Sequence, residues 1–278
     1  MNLIVAKEHF SENVIMLEIE APRIAKARKA GHFVIVRVDK NGERVPLTIA
    51  GSNLEKGTIT LVVQRIGVST WKLTNLNVGD YIEDVVGPLG RATQIEKQPG
   101  TVLCAGGGVG VAPMLPIIEA HHNAGNRVVA VLAGRTKELI ILEDQVRKYA
   151  DDVVIMTDDG SYGQKGLVTQ GMEEVINRET VSEAVVIGPA IMMKFGALTT
   201  KKYNIPTWVS LNTVMVDGTG MCGACRVTVG GKTRFVCVDG PEFNAHEVDF
   251  DEMMKRMGGF KAEEQVAFEA YKQACGMK

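Results

Sequence analysis

Between Phe33 and Val86 the apolar positions come in short β-branched runs, FVIVRV (33–38), TITLVVQRI (58–66) and YIEDVV (81–86), separated by the turn pairs Asn41-Gly42, Lys56-Gly57 and Gly79-Asp80. Strands this short and evenly spaced predict a small antiparallel β-barrel over residues 1–98. One helical interruption, 69–76, falls between two of them. From Gly100 the rhythm changes. TVLCA, RVVAVLA, DVVIMT and AVVIG alternate with helical stretches at 112–124, 137–149, 167–177 and 191–203. Buried runs alternating with helices imply βα units on a parallel sheet, so 99–210 reads as an α/β domain of nucleotide-binding type. After Pro206 both patterns stop. A Gly- and Cys-rich stretch, 217–240, is too short to hold a core of its own and needs a staple. It lies in a segment assigned to 211–250, and an amphipathic segment, 251–278, follows.

A chain of 278 residues accommodates two domains and an appendage. Its net charge of -2 and apolar fraction of 45% provide no basic field for nucleic acid. The N-terminus, MNLIVAKEHFSENVIMLEIE, has acids from Glu8 onward and no apolar core before a small-residue cleavage site. No window reaches the roughly 18 apolar residues of a membrane helix. A cytoplasmic protein is expected, with no membrane contact. In a reducing compartment the five cysteines are poor disulfide candidates. Three of them, Cys222, Cys225 and Cys237, fall within sixteen residues and favour a metal or cluster site. Cys104 and Cys275 stand apart.

In VDGTGMCGACRVTVGGKTRFVCVDGP, four residues separate Asp217 from Cys222, two separate Cys222 from Cys225, and eleven separate Cys225 from Cys237. This is the plant-type [2Fe-2S] spacing with a carboxylate in the first position. Glycines at 218, 220 and 223 let such a loop wrap closely around a cluster. Two other readings stay open on spacing alone: a zinc site, or a tight Asp217-Gly218 turn beside small buried cysteines.

TVLCAGGGVGVAPMLP places a buried strand before Gly106, Gly107, Gly108 and Gly110, then a helix with Pro113 in its first turn. A glycine-rich turn at a helix N-terminus suits a pyrophosphate. TDDGSYG (157–163) and GPAIMM (188–193) also follow apolar strands, which adds Asp158, Asp159, Gly160, Gly188, Pro189 and Met192 to the candidate edge. Asp158 and Asp159 are ribose-hydroxyl acceptors in this reading and solvated turn residues in the plainer one. Arg135 alone is a weak sign of a 2'-phosphate, and NAD(H) is favoured over NADP(H).

ERVPLTIA (43–50) and QRIGVSTWKL (64–73) are ordinary strand-and-turn segments by themselves. In the order barrel, α/β domain, cluster segment, they resemble the ferredoxin-NADP reductase superfamily. That barrel binds FAD through an Arg-x-aromatic-Ser/Thr strand and a Gly-x-x-Ser/Thr helix start. Pro46, Leu47 and Thr48 match the end of the first motif, and Gly67, Val68, Ser69 and Thr70 the second, with Val63 and Gln64 just ahead. Val45 departs from the pattern, since the arginine, Arg44, stands one place early. GGGVGVAP, TDDGSYG, GPAIMM and the Cys-rich tail further resemble the dihydroorotate dehydrogenase electron-transfer subunit. They also resemble the small subunit of NADH-dependent reduced ferredoxin:NADP oxidoreductase, also called the sulfide dehydrogenase small subunit. The second family has an aspartate where this chain has Asp217, and the first a cysteine.

The resemblance implies FAD, a [2Fe-2S] cluster on Asp217, Cys222, Cys225 and Cys237, NAD(P)H as substrate, and Thr48 hydrogen bonding near the flavin N5. It also implies a larger FAD and [4Fe-4S] partner similar to the glutamate synthase small subunit, which bifurcates electrons with ferredoxin and NADP(H). The rivals are a dihydroorotate dehydrogenase electron-transfer subunit and a zinc-stabilised nucleotide-binding subunit with no redox role.

Overall fold

In the computed structural model, which describes residues 1–276, the N-terminal strands are β1 (Asn2–His9), β2 (Val14–Glu20), β3 (Phe33–Arg37), β4 (Arg44–Asn53), β5 (Thr58–Gln64), β6 (Tyr81–Ile82) and β7 (Asp84–Leu89). They form one antiparallel sheet in the order β6-β1-β2-β5-β4-β3-β7. The edge strands β6 and β7 are consecutive in the chain with only Glu83 between them, so the sheet curls back on itself as a barrel. Alternation turns Ile15, Leu17, Ile19, Ile59, Leu61 and Val63 into its interior. Each such side chain contributes about 1.5–3 kcal/mol relative to an exposed one.

The three anticipated runs are β3, β5 and the β6–β7 pair. β1 and β2 have no counterpart among those runs, because Lys7, Glu8, Glu18 and Glu20 break up their apolar pattern. Helix α1 (Pro22–Ala27) was likewise unmarked, while α2 (Val68–Asn75) matches the expected interruption.

The second sheet contains β8 (Thr101–Gly107), β9 (Val128–Gly134), β10 (Asp152–Thr157), β11 (Gln164–Lys165), β12 (Val181–Ile187) and β13 (Thr207–Ser210). All six pair in parallel, in the order β11-β10-β9-β8-β12-β13. Every residue of β8 is buried, as expected of a central strand covered on both faces. Its crossover helices are α3 (Val111–Asn123), α4 (Glu143–Arg147), α5 (Val168–Arg178) and α6 (Ala190–Lys202). The helix expected over 137–149 is a 3-10 turn, Lys137–Leu139, followed by the short α4.

The Cys-rich segment contributes the hairpin β14 (Arg226–Val229) and β15 (Lys232–Phe235), the short α7 (Val236–Asp239), and β16 (Glu242–Asn244), which adds antiparallel to β13 as the edge of the second sheet. Thus the cluster segment is built into the nucleotide sheet. Helices α8 (Phe250–Met257) and α9 (Lys261–Ala274) complete the described chain. Phe250 and Met253 of α8 enter the core beside Val227, whereas α9 buries no residue. Among the described residues no helix is long and apolar enough to cross a membrane.

Leu103 is fully enclosed on β8, and Val266 on α9 is 72% exposed. Leu103→Ala is expected to cost about 2–5 kcal/mol in urea unfolding. Val266→Ala should fall within about 0.5 kcal/mol of the parent.

Candidate functional site

The parallel sheet supplies a crevice by its connectivity. From β8 the chain steps outward to β9 and β10, then returns to β12 on the other side of β8. At such a switch point the carboxyl ends of neighbouring strands diverge and a ligand can enter. The glycine-rich turn after β8 and Gly188 after β12 face each other there. A Cβ at Gly110 would sit 2.5 Å from the Ile187 carbonyl oxygen and 2.8 Å from Gly188 Cα. A Cβ at Gly107 would run into the Met192 thioether, and one at Gly188 would sit 2.7 Å from Met192 Cε. Gly107, Gly110, Gly188 and Met192 therefore let two loops pack closely and leave the turn open above. Gly106 is similarly closed in, by Met114. Gly108 differs: its Cβ position meets nothing within 4 Å, and its φ of +54° is left-handed. Conformation requires a glycine at this position, where space does not.

Pro113 occupies the first turn of α3, where its missing N–H costs no helical bond. Pro189 caps α6. Of the acidic pair, Asp159 forms an Asx turn, its Oδ1 accepting from the Ser161 N–H at 2.9 Å. Hydrogen bonds from the Ser161 hydroxyl and then its backbone hold the Asp159 carboxyl below its ordinary range. The Asp158 N–H donates to the Gly134 carbonyl at 3.1 Å, and the Lys137 N–H donates to Ser161 Oγ at 2.9 Å. These bonds join the loops after β9 and β10 at the same edge, with Gly160 in the turn at a φ of +78°.

On the barrel, Arg44, Val45, Pro46, Leu47 and Thr48 are five successive half-buried residues of β4. Thr48 pairs with Phe33 across the ladder, and Arg44 with Arg37. The Arg44 Nε is buried without a hydrogen-bond partner. A desolvated guanidinium N–H of this kind costs about 1–3 kcal/mol unless something accepts from it. A flavin nucleotide carries phosphate acceptors suited to it. Val63 and Gln64 end β5 nearby in sequence, and α2 opens at Gly67, where a Cβ would meet nothing within 4 Å. The first N–H groups of a helix have no intrahelical partners, so this N-terminus also suits phosphate. Thr70 serves the turn itself: its hydroxyl accepts from the Ile66 and Gly67 N–H groups at 3.0 and 3.1 Å. Ser69 Oγ donates to Glu43 Oε2 at 2.9 Å.

The cluster loop leaves β13 through an extended stretch in which Leu211, Thr213 and Met215 are buried. Gly218, Gly220 and Gly223 all take positive φ. Asp217 organises the loop. Its Oδ1 accepts from the Thr219 N–H at 2.9 Å, and its Oδ2 accepts from Met221 and Cys222 N–H groups at 3.0 and 2.8 Å. These bonds hold its carboxyl below the ordinary carboxylate range. Cys225 and Cys237 are buried with their sulfurs 3.3 Å apart, whereas Cys222 is exposed. Burial, followed by the contact with Cys225, pushes the Cys237 thiol up to about 12. Among the described residues no three His, Cys, Asp or Glu side chains converge as a metal site. The donor chemistry still fits a bound cluster, because the buried sulfurs of Cys225, before β14, and Cys237, on α7, lie together, and the Asp217 loop directs three amides at a carboxylate. The Thr213 hydroxyl was not singled out from the sequence. It is buried without a partner, a group that a bound cofactor could satisfy.

Family models match the three segments in turn: an oxidoreductase FAD-binding domain over residues 2–93, an oxidoreductase NAD-binding domain over 105–197, and the iron-sulfur cluster binding domain of dihydroorotate dehydrogenase B over 212–249. A dihydroorotate dehydrogenase B (NAD(+)) electron transfer subunit homolog of Thermotoga maritima is 44% identical across 99% of this chain and 97% of its own length. The chain belongs to the dihydroorotate dehydrogenase B electron-transfer subunit family. The electron transfer subunit of Geobacillus thermodenitrificans is 33% identical across 88% of this chain and 96% of its own. Among solved structures, the NADH-dependent reduced ferredoxin-NADP oxidoreductase, studied for flavin-based electron bifurcation, superposes with a TM-score of 0.92 at 43% identity, covering 98% of both chains. Phthalate dioxygenase reductase shares the fold at 17% identity and a TM-score of 0.59, covering 82% of this chain and 86% of its own. As a member of this family the chain is an electron-transfer oxidoreductase subunit with FAD-binding, NAD-binding and iron-sulfur cluster-binding domains.

Two expectations follow from the loops. Gly110→Ala pushes the turn off the end of β12, so NADH should reduce the flavin at least tenfold more weakly at low substrate, with FAD still bound. Gly108→Ala should cost about 1–2 kcal/mol of stability from left-handed strain alone. Stopped-flow flavin reduction and urea unfolding read the two separately. In addition, if the unpartnered Arg44 Nε serves a flavin phosphate, Arg44→Leu should lose FAD on gel filtration without losing iron.

Proposed function

We propose that this chain passes electrons between NAD(P)H, FAD and a [2Fe-2S] cluster and exchanges them with a larger partner subunit, within an electron-bifurcating NADH-dependent ferredoxin:NADP oxidoreductase. The partner would carry FAD and [4Fe-4S] clusters, resemble the small subunit of glutamate synthase, and hold the bifurcating centre. The observation that carries this reading is the full-length likeness, at 43% identity, to the NADH-dependent reduced ferredoxin-NADP oxidoreductase. The working units are 1–98 for FAD, 99–210 for the nicotinamide nucleotide, 211–250 for the cluster and 251–278 as a C-terminal helical segment.

A bound flavin supplies the exchange between two-electron hydride chemistry and one-electron cluster chemistry. The chain's own residues hold and orient. Arg44 and the α2 N-terminus at Gly67, Val68 and Ser69 take the flavin phosphates. The Thr48 hydroxyl hydrogen bonds at the reactive edge of the ring. The turn Gly106–Gly110 takes the nicotinamide pyrophosphate at the α3 N-terminus, and Met192 closes the crevice beneath it. Asp158 and Asp159 offer acceptors for ribose hydroxyls. Asp217, Cys222, Cys225 and Cys237 hold the cluster, their combined negative charge offset by the loop amides.

A second reading, an electron-transfer subunit serving dihydroorotate oxidation, is favoured by the names of the curated relatives. The co-purifying partner separates the two. A flavoprotein with [4Fe-4S] clusters that exchanges electrons with both ferredoxin and NADP(H) supports the first, and a dihydroorotate-oxidising partner the second. Zinc in place of iron and acid-labile sulfide would remove both.

Asp217 provides the sharpest test of the ligand set. Asp217→Ala should lose most of its iron while its flavin is still reduced by NADH. Asparagine is a poor control, since its amide N–H2 would face a backbone N–H on one side of the turn. Asp217→Cys is the informative variant: it supplies a thiolate ligand but gives up all three hydrogen bonds that the carboxylate accepts. Retention of iron by Asp217→Cys with an altered absorption spectrum supports ligation. Iron loss equal to that of Asp217→Ala would leave Asp217 as a turn former only.

A further inference from the structure

The carboxyl of Glu242 lies at the seam between barrel and nucleotide sheet. It sits on β16 and accepts from the Thr93 hydroxyl at 2.6 Å. Thr93 belongs to the connection between the two domains, and its N–H donates to the Ala30 carbonyl of the barrel at 2.9 Å. The next barrel residue, Gly31, has no side chain where Glu242 Oε1 and Thr93 Oγ1 lie: a Cβ there would be 3.0 Å from the first and 2.6 Å from the second. Three chain segments therefore close on one carboxyl.

The surroundings of that carboxyl are short of cations. β12 contributes Glu183, β8 the buried thiol of Cys104, and the connection Glu96, which acts on Glu183. α3 contributes His121, fully enclosed and 3.6 Å from Glu183. Burial drops the His121 pKa to about 4, so the ring is neutral. On the barrel side His32 is held toward its neutral form by burial and then by Lys29 and Arg28. Among the described residues no cation forms an ion pair with Glu242. Burial raises its carboxyl to about 7, the Glu183 charge adding in the same direction and the Thr93 hydroxyl opposing.

We propose that Glu242 is a positioning residue, a proton-operated latch that holds the flavin barrel against the nucleotide sheet through Thr93. Neutral, it accepts from Thr93 without placing a second charge beside Glu183. Ionised, it puts two carboxylates into one enclosed seam and loosens the register of barrel and sheet. Since β16 lies within the cluster segment and begins just after α7, the helix containing Cys237, the same register sets flavin against cluster. That consequence rests on the electron-transfer reading, whereas the latch itself does not.

The sign follows from the raised folded value. The native state binds the proton more tightly than the unfolded chain, so stability is fully present below about 4.5, the ordinary glutamate value, and is lost as pH rises toward about 7. Glu242→Gln keeps an acceptor oxygen for Thr93 and cannot ionise. In thermal unfolding of the holoprotein, Glu242→Gln should gain on the parent by roughly 5 °C in Tm between pH 4.5 and pH 7.5 and then hold a constant lead. In stopped flow, the step from flavin to cluster should slow with rising pH in the parent and stay flat in Glu242→Gln. A Tm difference independent of pH would overturn the latch. A pH-dependent difference in Tm without any in stopped flow would keep the latch and remove its role in electron transfer. If Glu242→Gln does not fold, Thr93→Val serves. Loss of the donor that favours the ionised form should move the parent's transition to higher pH, and an unmoved transition would also overturn the proposal.

Discussion

The arrangement of the three binding segments depends on one seam, where the chain leaving the barrel is hydrogen bonded to the chain leaving the cluster loop. The Arg91 N–H donates to the Gly240 carbonyl at 2.7 Å and its Nε to the Val238 carbonyl at 3.0 Å. The Leu211 N–H donates to the Pro241 carbonyl at 2.9 Å. That bond closes the loop containing Asp217, Cys222, Cys225 and Cys237 at its base. Gly90 lies against Phe33 and Pro241, so Phe33 of β3, which packs into the core shared with the nucleotide sheet, touches the same strip. A cluster loop with few buried side chains has little power to fix its own position, and backbone bonds at its two ends supply what a core would in a larger domain.

The C-terminal helix adds a second, looser tie. α9 reaches back to α2, the helix whose start is a candidate flavin-phosphate site: Phe268 lies 6.2 Å from Trp71 between ring centroids, and the Arg65 guanidinium covers Trp71 at 4.6 Å. No residue of α9 is buried. Its attachment therefore rests on a few aromatic and cation contacts, each worth about 0.5–1.5 kcal/mol. A helix held so lightly can leave α2 at little cost, which the barrel strands cannot do.

What the sequence made legible was whatever repeats locally. Continuous apolar runs marked β8, β9, β10 and β12, because strands covered on both faces have no polar positions to obscure them. β1 and β2 escaped, because an outer strand alternates and its Lys and Glu residues dilute the signal. The spacing of Asp217 and the three cysteines was readable because it is a property of one short stretch of chain. The bond between Thr93 and Glu242 joins residues 149 apart and leaves no local trace. Thr213 had no signal either, since an unpartnered hydroxyl is visible only once its burial is known. The glycines illustrate a different limit. Sequence showed that Gly106, Gly107, Gly108 and Gly110 form one turn, but only the fold separates the three that admit neighbouring atoms from Gly108, which has open space and a left-handed backbone.

The same distinction applies to Asp217, where turn former and metal ligand looked like competing readings. A carboxylate has about four lone-pair directions. The three backbone N–H groups of Thr219, Met221 and Cys222 occupy three of them, two on Oδ2 and one on Oδ1. One direction on Oδ1 is therefore free. Donors that depress the carboxyl's proton affinity also keep it ionised when a cation approaches, so the turn is compatible with the proposed ligation of a cluster iron. A cysteine in this place would bind iron more softly but could not gather the three amides. As the proposed first ligand, the aspartate would join loop closure to ligation in one side chain, and the loop's shape would become part of what that ligand supplies.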